Sequence, residues 1–151
     1  MNRNEKRLGD ILVEKKFVSL EELHSALEQQ KKTKEFLGAI LVKKSIIKEE
    51  DLLKSLSEQF NIPFVSLKYK YIDWDFIGRF SPSLILDMKC IPIKEDEYSM
   101  TIAITNPLDA WAIKRCEEEI SPFKLKLALI TREDVEDMIH RYKEYIQNKK
   151  P

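Results

Sequence analysis

Apolar positions recur with a helical period along the first sixty residues, and the whole pattern is written twice. In "RLGDILVEKKFVSLEELHSALEQQ" (7–30), Leu8, Ile11 and Leu12 mark a short amphipathic helix, and Leu20, Leu23 and Leu27 mark a longer one. The stretch "FLGAILVKKSIIKEEDLLKSLSEQ" (36–59) repeats the phrase 29 residues later. Leu8, Gly9, Ile11, Leu12, Val13, Glu21, Leu23, Leu27 and Gln30 return as Leu37, Gly38, Ile40, Leu41, Val42, Glu50, Leu52, Leu56 and Gln59. Ser19, with Glu22 three residues on, has the form of a capping box, and Lys48 replaces that serine in the second copy. One helical pair of this size cannot bury its apolar face, whereas two pairs packed face to face can. Two copies make a pseudo-symmetric unit and not a solenoid.

After Gln59 the period changes. "FNIPFVSL" reads as an extended strap, because Pro63 disfavours helix at Ile62 and Phe64, Val65 and Leu67 favour extended backbone. A helix is expected over residues 75–80, and another opened by Ser81 or Pro82. "CIPIKEDE" and "YSMTIAITN" flank an acidic turn and predict a hairpin, while "DAWAIKRCEEEI", after the Asn106–Pro107 break, predicts a helix. Alternation at Phe123, Leu125, Leu127 and Leu129 predicts a strand, and Thr131 with Asp134 opens a last amphipathic helix. The expected fold is α+β. An all-helical tandem-repeat domain spans 5–60, and a small α+β domain with a three-stranded sheet, antiparallel or mixed, spans 68–147.

Composition narrows the chemistry. Of 151 residues, 34% are charged and 43% apolar, a globular balance. Twenty-six basic residues offset twenty-six acidic ones, so no overall charge draws the chain to nucleic acid or to an anionic membrane. The short basic stretches "QQKKTK" and "NKKP" read as a solvated linker and tail. No run approaches the ~20 apolar residues of a membrane span, and the charged start has no secretory pattern, so direct membrane insertion is not expected and the cytoplasm is. Cys90 and Cys116 lack CxxC spacing and read as buried, reduced thiols. His24 and His140 fall on separate helices without a metal-ligand spacing. Three glycines, Gly9, Gly38 and Gly78, cannot write a P-loop or a GxGxxG turn. Carboxylate clusters fall on turns and polar helix faces. The expectation is a protein without cofactor, metal or catalysis.

The repeat holds what chemistry there is. Arg7, Gly9 and Gln30 combine a planar cation, a residue without a side chain and a two-way amide. Such a set can hold a purine: the guanidinium stacks or meets phosphate, glycine lets backbone approach, and the amide pairs with a base edge. Helix contact at Gly9 and Gly38, with Gln30 and Gln59 ending helices, is the alternative use of the same residues.

Two 24-residue motifs separated by the five residues "KKTKE" resemble the MshEN domain, found at the N-terminus of assembly ATPases of type II secretion and type IV pili. "CIPIKEDEYSMTIAITNPLD" resembles the domain that follows in those ATPases. The resemblance stops short of the ATPase domain and implies a non-catalytic regulatory module, either a fragment of a longer ATPase or a free-standing protein, that holds cyclic di-GMP. Its site would comprise Arg7, Leu8, Gly9, Leu12, Leu23, Leu27 and Gln30, with Leu37, Gly38, Leu41, Leu52, Leu56 and Gln59 as second-copy partners. The alternative is a docking module for secretion or pilus assembly proteins, such as the cytoplasmic part of an inner-membrane protein. This sequence departs from the family pattern at Lys16 and Ser45, which replace a glycine in each motif, and at Phe36, which takes the place of Arg7. If those glycines serve turns with positive φ, each replacement costs about 1–2 kcal/mol.

Overall fold

The computed structural model describes residues 3–68 and 70–149. The contacts divide the chain into two compact units, Met1–Asn61 and Ile62–Pro151.

The first unit is helical: α1 (Arg3–Glu14), α2 (Leu20–Thr33), α3 (Leu37–Lys43) and α4 (Glu49–Phe60). Ser19 caps α2 as the sequence predicts, with the full reciprocal box: its hydroxyl accepts from Glu22 N–H at 3.1 Å, and Glu22 Oε1 accepts from Ser19 N–H at 2.9 Å. Lys48 caps α4 without a side-chain bond. Helices α1 and α3 end in the same way. Lys16 N–H donates to Val13 O at 3.0 Å and Phe17 N–H to Leu12 O at 3.0 Å; Ser45 N–H donates to Val42 O at 2.9 Å and Ile46 N–H to Leu41 O at 3.0 Å. These are paired Schellman closures, which place Lys16 at φ 64° and Ser45 at φ 59° in the left-handed region. The two motif positions that lack glycine therefore do require positive φ. In the interior, α1 packs on α4 and α2 on α3, around fully buried Leu8, Leu12, Leu37, Ile40, Leu41 and Leu56.

One boundary differs from expectation. The first helix begins at Arg3, well before the apolar stripe at Leu8. Glu5 explains the extension: it lies three residues before Leu8 and seven before Leu12, on the inward stripe, and is itself buried.

The second unit contains α5 (Trp74–Ile77), α6 (Pro82–Leu86), β1 (Ile91–Glu95), β2 (Ser99–Ile104), α7 (Ala110–Ile120), β3 (Lys124–Leu129) and α8 (Arg132–Lys149). The sheet order is β1-β2-β3, antiparallel on one side and parallel on the other, so the sheet is mixed. Every residue of central β2 is buried, and α7 supplies the crossover that a parallel pair needs. Asp96 builds the acidic hairpin turn by accepting from Tyr98 N–H, Ser99 N–H and Ser99 Oγ at 3.0, 2.8 and 2.7 Å, which holds its carboxyl well below the usual range. The helix expected over 75–80 runs instead over Trp74–Ile77, because the Asp73 carboxylate accepts from Phe76 N–H and fixes an earlier start. The strap pairs with the sheet: Phe64 bridges Leu129, with Leu129 N–H donating to Pro63 O and Val65 N–H donating to Leu129 O. Thr131 opens α8 through its hydroxyl, which accepts from Asp134 N–H at 3.1 Å.

Candidate functional site

The helical unit gathers the residues singled out in the sequence, and most of them lie inside it. Leu8, Leu12, Leu37, Leu41 and Leu56 have no exposed surface, Leu23 and Leu52 are buried, and Leu27 is half-buried. Gly9 and Gly38 are buried too. A Cβ on Gly9 would stand 3.0 Å from Leu23 Cδ1, and one on Gly38 would stand 2.8 Å from Leu52 Cδ2. The two contacts are equivalents under the repeat, so each glycine lets the two helices of its own pair close. As packed here, both glycines face leucine methyls and neither is open to a ligand.

The polar members are placed unequally. Arg7 is exposed and makes no ion pair or hydrogen bond among the described residues. Gln30 donates from Nε2 to Glu5 Oε1 at 2.9 Å and to Glu35 O at 3.1 Å. Gln59 donates from Nε2 to Asn4 O at 3.1 Å, while its Oε1 is buried without a partner among the described residues. An acceptor left in that state costs about 1–3 kcal/mol. Phe36 occupies the position equivalent to Arg7, and its ring edge would lie 2.8 Å from a Cβ on Gly38.

Sequence reasoning missed Glu5. Its Oε1 also accepts from the Leu37 N–H at 3.1 Å, supplying from α1 the cap that Phe36 does not give to α3. The signal was a carboxylate at helical spacing from Leu8 and Leu12, on the face that must be buried. Outside this set, Lys15 and Glu58 tie the end of α1 to α4 by an ion pair.

In the second unit, Glu119 accepts from Ser81 N–H at 2.6 Å, Ser81 Oγ at 2.7 Å and Arg115 Nη1 at 2.8 Å. Burial alone would raise its pKa; the bonds from Ser81 and Arg115 outweigh burial and bring the carboxyl below its ordinary value. Cys90 and Cys116 are both buried and free, and the neighbouring Cys116 together with burial pushes the Cys90 thiol up, away from nucleophilic use. A cavity of about 180 Å³ lies among Val65, Leu67, Phe76, Ile77 and Met138, with exposed Lys70 and Lys94 among its lining residues. Both histidines are exposed, and among the described residues no group of three or more His, Cys, Asp or Glu gathers to hold a metal. The "NKKP" tail ends outside the described residues. No described helix is long and apolar enough to cross a membrane.

A structure of MshE with cdg is similar at 26% identity and a TM-score of 0.81, over 89% of this chain and 97% of its own. The N-terminal domain of XpsE is similar in fold at 19% identity and a TM-score of 0.74, over 94% of this chain and 97% of its own. No curated protein sequence matches significantly. The MshEN domain profile matches residues 60–147, which fall almost wholly in the second unit and not on the tandem motifs. With more than half of its residues so matched, the chain belongs to the MshEN domain family.

Proposed function

We propose that this chain is a non-catalytic regulatory module that responds to cyclic di-GMP through its helical unit, in the cytoplasm, as part of a type II secretion or type IV pilus system. The observation that carries the reading is the similarity to MshE with cdg across nearly the whole chain. The tandem repeat adds to it, since a two-fold dinucleotide is suited to a motif written twice. Arg7 offers an unpaired guanidinium for a phosphate or a guanine face. Gln59 offers an acceptor that its own protein leaves unused and that a guanine N–H would satisfy. Because Leu8, Leu12, Leu37, Leu41 and Leu56 are buried in the helical unit, their contact with a purine requires the helix pairs to part. Leu23, Leu27, Leu52, Gly9, Gly38 and Gln30 would be uncovered by the same movement.

Calorimetric titration with cyclic di-GMP, with ATP as control, tests the reading. Binding at micromolar concentration or tighter, weakened by about 1.5–3 kcal/mol in Arg7→Ala, is the expected result. Absence of heat with cyclic di-GMP at millimolar concentration refutes it. The second reading, a docking module for an assembly protein, is favoured by the closed packing of both glycines against leucine.

A further inference from the structure

The two copies of the motif are not equivalent in the folded unit, and the difference lies at the start of the second. In the first copy Arg7 stands exposed on the surface of α1, with no partner among the described residues. In the second copy two groups from the chain itself occupy the corresponding place. The Phe36 ring folds onto Gly38, near enough that a Cβ there would meet Cε1 at 2.8 Å, in addition to the Leu52 contact that both copies share in kind. The Glu5 carboxylate, buried, accepts from the Leu37 N–H at 3.1 Å and is held in place by Gln30 Nε2 at 2.9 Å. No residue of the second copy does for Gly9 what Phe36 does for Gly38: the atoms facing Gly9 are methyls of Leu23 and Leu37.

An incoming phosphate needs a donor or a cation and a space without fixed negative charge. At the second copy it would meet an apolar ring in place of a guanidinium, an N–H already bonded, and a carboxylate of its own sign. We propose that Glu5 and Phe36 seal the second half of the ligand seat, so that a guanine dinucleotide is held through the Arg7 half alone. This rests on the reading of the helical unit as a cyclic di-GMP seat. One half-site in use has a direct consequence for selectivity: the second guanylate adds little, and the unit discriminates weakly between the cyclic dinucleotide and a single guanylate.

The test is calorimetric titration of the full chain with cyclic di-GMP and with GMP, for wild type, Phe36→Ala, Phe36→Arg and Glu5→Gln. Circular dichroism melts establish that each variant folds, and the three changes act on the seal from two different residues. Wild type should prefer cyclic di-GMP over GMP by less than tenfold. Phe36→Ala and Glu5→Gln should each tighten cyclic di-GMP at least threefold, and Phe36→Arg at least tenfold, with GMP affinity unchanged in all three. If wild type already prefers the cyclic ligand by a hundredfold or more, and the folded variants do not tighten it, the seal is refuted while the sensor reading stands. If neither wild type nor any variant binds either nucleotide, both fall together.

Discussion

Glycine at Lys16 and Ser45 should stabilise the helical unit, and the size of the gain can be worked from the backbone. Both residues sit at φ near 60° just past the C-terminus of a helix, each donating one closing hydrogen bond. An L-residue held there loses roughly 1–2 kcal/mol to its Cβ clash, which glycine does not suffer. Glycine in turn adds about 0.4–1 kcal/mol of unfolded-chain entropy. The net gain is therefore about 0.5–1 kcal/mol at each position. Neither side chain has a hydrogen bond or ion pair among the described residues, so its removal forfeits little. The positions close separate helices, so the double variant should gain about 1–2 kcal/mol. Urea denaturation followed by circular dichroism measures it, with Lys16→Ala as control: alanine keeps the strain while losing the lysine chain, and should be near neutral. A glycine variant that is less stable than wild type, or an alanine variant that gains as much as glycine, would refute the strain argument.

The remaining predictions concern other contacts. Gly38→Ala should destabilise by about 1–3 kcal/mol, since its Cβ would meet both Leu52 and Phe36 at 2.8 Å; Gly9→Ala should cost less, because a single flexible leucine faces it at 3.0 Å and alanine favours a helix interior. Equal thermal melts for the two variants would count against this ordering. Glu119→Gln should cost about 2 kcal/mol at neutral pH and also change the acid response. The folded pKa of Glu119 lies below its unfolded value, so its contribution is complete above the unfolded value of about 4.3 and is lost as pH falls through the folded one. Urea midpoints measured from pH 6 to pH 3 should thus converge for wild type and variant at the acid end. A constant gap between them would exclude the linkage.

Local signals in the sequence carried much of the fold. The capping box at Ser19, the hairpin around Asp96 and the Thr131 cap each depend on residues within four positions of one another, and each is present. What escaped depends on partners far along the chain. The early start of α1 follows from Glu5 reaching Gln30 and Leu37, and the pairing of Pro63 and Val65 follows from Leu129. Neither is visible as a period. The parallel pairing of β2 with β3 was left open for the same reason. At the candidate site, repetition identified the residues that matter to the helical unit but could not separate packing from binding, because a leucine at helical spacing serves both. Lys16 and Ser45 were the exception: their departure from the motif pointed to a left-handed backbone, and the dihedral angles are there.

The bridge between the strap and β3 has a consequence for the order in which this chain can fold. The helical unit packs α1 on α4 and α2 on α3, all within residues 3–60, so these contacts become available as soon as residue 60 has been made. Pro63 and Val65 come next off the ribosome, yet their hydrogen-bond partner is Leu129, at the end of the last strand. Until that strand arrives, the segment beyond the finished helical bundle has unpaired backbone and exposed Phe64 and Val65 side chains. During synthesis this is the interval of greatest exposure to wrong partners, and it closes only when Leu129 has emerged.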